Sequence, residues 1–210
     1  MSSPMAINTN IASINATRNM TSTGRGLNNS IQRLSSGLKI NSASDDAAGM
    51  AVSEGLTAQV RGFQQGMENA NEAIALLQTA EGSYNSISDI MIRMRELAVQ
   101  AASDTLTDKE RAYLNTEFED LTNEITRISD VAEYNGIQLL TGTSGAAADG
   151  DMVFQVGTRN TVNDQIKITL KDQDSTALGI EALGVDNLAN SQAAIATIDT
   201  ALDQLATDRA

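Results

Sequence analysis

With 210 residues, 41% of them hydrophobic and 20% charged, the chain is long enough to bury a core and to make one or two domains. It has no cysteine and no histidine, so disulfides, thiolate catalysis and cysteine-ligated zinc are excluded. A net charge of −13 argues against nonspecific nucleic-acid binding through the body of the protein.

Residues 1–4 read as a cloning remnant or an upstream start ahead of a second methionine, Met5. Residues 5–44 form an N-terminal segment that is basic and free of acid, carrying Arg18, Arg25, Arg33 and Lys39. Ile7, Ile11 and Ile14, and later Leu27, Ile31, Leu34 and Leu38, keep four–three spacing, but Gly24 and Gly26 interrupt the sets. Each glycine weakens a helix by about 1 kcal/mol relative to alanine, which predicts a segment that is helical only when packed on something else. The Ser-, Gly- and Asn-rich run from Ser35 to Gly49 predicts a loop, with Ser44 or Asp45 as the N-cap of the next helix. Asp45 and Asp46 lack a neighbouring ligand type, so capping is preferred to acid chemistry or metal binding.

A helix is predicted over about 45–102. Leu56, Val60, Phe63, Met67, Ala70, Ile74 and Leu77 recur every ~3.5 residues, the repeat of a helix packed lengthwise on others. Glu81 then falls where an apolar residue is due, and the stripe resumes as Tyr84, Ile87, Met91, Met94, Ala98 and Ala101. No proline follows Pro4, and about 55 residues make a rod of roughly 80 Å. Met94, Ala98 and Ala101 take the seam, which predicts that Arg93, Leu97 and Gln100 face outward. An outward leucine beside an arginine suits a protein–protein contact.

Thr107 to Glu110 fits a capping box and opens a second helix to about residue 132, with Leu114, Phe118, Leu121, Ile125 and Ile128 on one face. The short connection predicts that it folds back antiparallel on the first. An antiparallel β patch follows over about 136–171. A third helix over about 187–210 carries Leu188, Gln192, Ile195, Ile198, Leu202 and Leu205. The fold class is therefore mainly α: a long antiparallel helical bundle, coiled-coil-like and rod-shaped, with a small β hairpin at one end. Residues 45–210 constitute the rod domain. Leu56, Val60, Phe63, Met67, Ile74, Leu77, Met91, Met94, Leu114, Phe118, Leu121, Ile125, Ile195, Ile198 and Leu202 are its expected helix-seam core.

No catalytic constellation emerges. Lys39, Lys109, Lys167 and Lys171 sit in segments read as exposed, and Gly62, Gly66 and Gly82 stand singly in helix rather than in a phosphate-binding loop. No enzyme, cofactor or metal is expected. No apolar run is long enough to span a membrane, and the N-terminus lacks the apolar block of a secretory signal.

The run from Arg33 to Gly49, with Asn69-Ala70-Asn71, Gln78 to Gly82, Arg95 to Gln100 and Phe154 to Gly157, resembles bacterial flagellin. The resemblance implies a structural subunit that is exported unfolded through the flagellar type III apparatus and self-assembles into the extracellular filament for motility. It also implies recognition by the Toll-like receptor that senses flagellin, with Arg93, Leu97 and Glu117 at the principal positions. Ile92 departs from the polar residue usual there. The variable outer domains and the C-terminal partner helix of larger flagellins are absent from the match, which predicts a soluble monomer or weak oligomer for this chain alone. Two alternatives remain open: a hook–filament junction protein of the same superfamily, and a membrane-surface protein using the basic N-terminal segment as an amphipathic helix.

Overall fold

The computed structural model describes residues 10–145 and 147–209. The readings of residues 1–4, of Ile7 and of the terminal Ala210 lie outside them. Among the described residues there are four α-helices and two two-stranded antiparallel sheets. The chain divides into two compact units, Met1–Arg61 and Gly62–Ala210.

In the first unit, α1 spans Ile11–Ser36 and runs unbroken through Gly24 and Gly26. None of its residues is buried. Asn10 caps the start by accepting from the Ser13 amide at 3.1 Å, and the Gly37 amide closes the end on Arg33 O. Thr17, Thr21 and Ser30 bond back to the carbonyl one turn earlier. At about 100° per residue, Met20, Leu27, Ile31 and Leu34 share one exposed arc of α1, with Ile11 and Ile14 on its other side.

The loop after α1 is organised by Asp45. Its carboxylate accepts from the Asn41 and Ser42 amides and the Ser42 hydroxyl, and pairs with Arg33 at 3.3 Å. Asp45 is thereby occupied, and Asp46 becomes the N-cap of α2, accepting from the Gly49 amide at 2.9 Å. This corrects the assignment of the cap to Ser44 or Asp45. Helix α2 spans Ala47–Ala101. On its first turns Val52, Leu56 and Val60 face solvent, so Leu56 and Val60 are not core residues.

In the second unit, the rest of α2 packs with α3 (Asp108–Val131) and α4 (Leu188–Arg209). Its buried line begins at Gly66 and runs through Ala73, Leu76, Ala80, Tyr84, Ile87, Met91, Met94, Ala98 and Ala101. Phe63, Met67, Ile74 and Leu77, expected in the seam, are exposed; Phe63 is 53% and Ile74 52% accessible. The reason is a phase shift of one residue. Gly66, Ala73, Leu76 and Ala80 line the inner face, and Phe63, Met67, Ile74 and Leu77 sit one position outward. Glu81 therefore flanks the seam rather than interrupting it. The two successive four-residue steps from Leu76 to Ala80 to Tyr84 insert an eleven-residue spacing of the ~3.67-per-turn kind into a heptad pattern.

Leu97 is 0% exposed, which corrects its placement on an outward face. At about 100° per residue, Leu97, Ala101, Met94, Ile87, Ala98 and Met91 share an arc of about 120°. Arg93 borders that arc and reaches α3, while Arg95 borders the other side and reaches α4. Two helices cover the arc together, so it is wider than a single-partner seam and takes in Leu97.

The capping box at Thr107 and Glu110 opens α3. Phe118 and Ile125 are fully buried, with Leu114, Leu121 and Ile128 half-buried against the same core. Arg111, 6% exposed, lies under the α2–α3 turn. Its Nε donates to Ala101 O at 2.9 Å, its Nη2 to Ser103 O at 2.8 Å and its Nη1 to Asp108 at 3.0 Å. It thus satisfies the Ala101 carbonyl at the end of α2, where a cation also suits the helix dipole, and joins the Leu106 amide on Ser103 O.

β1 (Glu133–Tyr134) and β2 (Ile137–Gln138) pair around Asn135-Gly136, both at positive φ, as a two-residue hairpin of the Asn-Gly type. Leu139 and Leu140, expected to extend that strand, lie beyond it in the core. β3 (Asp151–Gln155) pairs antiparallel with β4 (Gln165–Thr169). The end of β3 docks on α2 at Gly66, where a Cβ would stand 2.1 Å from Val156 O. Asn69 Nδ2 holds Gln155 O at 2.8 Å beside it. Asn187 caps α4, accepting from the Asn190 amide at 2.9 Å. The inner face of α4 is Ser191, Ala194, Ile198, Ala201 and Leu205, while Ile195 and Leu202 are half-buried and Gln192 is exposed.

Candidate functional site

Two surfaces carry the features that the sequence singles out. The first crosses α2 and α3. Arg93 donates to Glu117 Oε1 from Nε at 3.1 Å and Nη2 at 2.8 Å, and from Nη1 to Glu96 at 3.1 Å. These contacts raise the Arg93 pKa further, the bond to Glu117 first among the causes. Pairs this exposed add little to stability. Their effect is to hold a guanidinium and two carboxylates in a fixed array on the surface. Gln100 and Ile92 are exposed nearby on α2. The structure therefore brings Arg93 and Glu117 together and leaves Gln100 accessible. Leu97 is not on this surface; it packs beneath it as part of the core.

The second surface is the outer side of α2 in the Gly62–Ala210 unit. Phe63, Met67, Ile74 and Leu77 make an exposed apolar row there. Rows of this kind on a helix mark places where another helix or protein packs.

Among the described residues, no group of three or more Asp, Glu, His or Cys is placed to hold a metal ion. A groove of about 1020 Å³ runs beside β2 and β3, lined in part by Glu133, Ile137, Met152 and Phe154. Its Asp151 is committed to Lys167 and to the Thr169 hydroxyl, which hold the carboxyl below the usual range. None of the described helices is long and apolar enough to cross a membrane.

Gly66, Asn69 and Arg111 escape sequence reasoning although each positions these surfaces. An arginine on an amphipathic helix reads as solvated, and a lone helical glycine reads as a weakness. Asn69 does stand within one of the motifs that carry the family resemblance, the only signal that pointed to it.

Comparison with known proteins agrees with this architecture. The family model of the bacterial flagellin N-terminal helical region matches residues 7–145. A flagellin of Halalkalibacterium halodurans is 38% identical over 208 residues, covering 98% of this chain and 74% of the relative. The chain spans less than half the length of several other flagellins that it matches. The crystal structure of Bacillus cereus flagellin superposes with a TM-score of 0.55 at 29% identity, over 66% of this chain and 77% of that one. A hook-associated protein structure from Vibrio parahaemolyticus gives a TM-score of 0.58 over 80% of this chain and 86% of that one. Its 18% identity makes that likeness one of fold alone.

Proposed function

Because this chain belongs to the bacterial flagellin family, we propose that it is a structural subunit of the flagellar filament, assembling with further copies for motility. The observation that carries this reading is the exposed apolar row of Phe63, Met67, Ile74 and Leu77. A helix that buries small residues inward and presents aliphatic and aromatic residues outward is suited to packing on helices beyond those of its own unit. Export through the flagellar type III apparatus and an extracellular location follow from the same reading. Recognition by the flagellin-sensing Toll-like receptor is part of it too, with Arg93 and Glu117 as the contacting pair, Gln100 at its margin and Leu97 supporting the surface from below.

Seeded assembly tests the proposal. The labelled chain, mixed with preformed seeds of a filament-forming flagellin, is expected to sediment with them, and Phe63→Asp with Ile74→Asp is expected to abolish this. Failure of the unaltered chain to sediment with the seeds would contradict the reading.

A further inference from the structure

Asp208, in the last turn of α4, has a carboxylate side chain that is only 2% exposed. Its Oδ1 accepts from Lys171 Nζ at 2.6 Å and its Oδ2 from Gln173 Nε2 at 2.9 Å. Lys171 and Gln173 open the strap that connects β4 to α4, residues 170–187. Gln173 is fully buried, and its amide donates to Leu140 O at 2.9 Å. Tyr84 of α2 is buried too, close enough to feel the Asp208 charge. Among the described residues, neither its hydroxyl nor Gln173 Oε1 has a hydrogen-bond partner. Burial, with the Asp208 charge adding to it, pushes the Tyr84 phenol up to about 12.

A carboxylate removed from water is tolerated only while its charge and lone pairs are matched. Here both matching groups come from the strap and none from α4 itself. Lys171 can regain water without moving far, since its side chain is mostly exposed. Asp208 regains water only if the end of α4 leaves α2, and Gln173 only if the strap leaves the core. Opening either element strands the polar groups of the other.

We infer that Asp208, Lys171 and Gln173, with Tyr84 buried nearby, form a buried latch through which the last turn of α4 and the strap order and open as one cooperative unit. The latch lies wholly within the Gly62–Ala210 unit and does not depend on the filament reading.

Amide hydrogen exchange on the purified chain tests it. Asp208→Asn is expected to speed exchange of the strap amides of Gln173 and Ile180 by about tenfold or more, although the substitution lies on α4. Lys171→Met is expected to speed exchange of the amides from Leu205 to Arg209 to a similar degree. The double variant is expected to exchange no faster than the faster single variant. Changes confined to the substituted element, or additive effects in the double variant, would overturn the latch. Should Asp208→Asn fail to fold, Lys171→Met alone decides, because its side chain is mostly exposed; unchanged exchange at the end of α4 would then refute the coupling.

Discussion

Arg209, in the last turn of α4, donates from Nη2 to Glu81 Oε1 of α2 at 2.6 Å, which places Glu81 beside the helix seam and its neighbour Ala80 within it. Ala80→Leu should overfill a position that is 2% exposed and cost about 1–3 kcal/mol. Glu81→Leu, on the flank, should change stability by no more than about 0.5 kcal/mol. Urea unfolding of both variants checks this. A stabilised Glu81→Leu beside a neutral Ala80→Leu would return the seam to the larger side chains.

Periodicity made the helices legible and left their phase hidden. Along α2, two stripes one residue apart both satisfy the repeat: Gly66, Ala73, Leu76 and Ala80, and Phe63, Met67, Ile74 and Leu77. Favouring bulk selects the second, whereas close helix packing uses the first. From Tyr84 onward large residues occupy the inner stripe, and there the pattern and the structure coincide. Leu97 was misplaced because a seam against one helix is narrower than an arc covered by two. Asp46 and Asp45 are both good caps, and only the loop contacts of Asp45 decide between them. Gln173 and Arg111 were not legible at all, since the partners that allow their burial lie in other segments.

Arg111 supplies a second prediction. Arg111→Ala removes three hydrogen bonds made by a buried guanidinium, among them the one to Ala101 O at the end of α2. A loss of about 2–4 kcal/mol is expected in chemical unfolding. Arg111→Lys should recover little of it, because a single ammonium cannot span both carbonyls and Asp108. Full recovery by lysine would reduce the role of Arg111 to its charge.

The pH dependence has a definite sign. The Thr107 amide, then its hydroxyl, holds the Glu110 carboxyl below its usual range. Arg95 does the same for Asp199, and Lys167 with the Thr169 hydroxyl for Asp151; partial burial opposes each shift. Folded-state values lie below unfolded ones, so this stability is present above about pH 4 and is lost as pH falls through the folded-state values. Urea midpoints should therefore drop on acidification, and less steeply in Asp199→Asn. At the alkaline end the sign reverses. The contribution of Tyr84 is complete below its unfolded value of about 10 and is lost as pH rises through about 12. Ultraviolet titration should find its phenol ionising near that value.

On the surface of α2 and α3, Arg93→Ala and Glu117→Ala should each weaken activation of the flagellin-sensing receptor by about tenfold or more, with thermal stability nearly unchanged. Leu97→Ala should lower thermal stability first, as a core truncation costing about 2–5 kcal/mol. Receptor reporter assays run beside thermal melts separate the two. A stable Leu97→Ala that still loses the receptor would place Leu97 at the contact after all.

The chain has no cysteine, so an Ile74→Cys thiol reports on the outer row of α2 and on nothing else. Alkylation of that thiol should be fast in the free chain, where Ile74 is exposed, and should slow by about tenfold or more once the chain is incorporated in filaments. Equal rates in the free and filament-bound chain would show that the row stays bare on assembly, and would contradict its use as the packing face of a filament subunit.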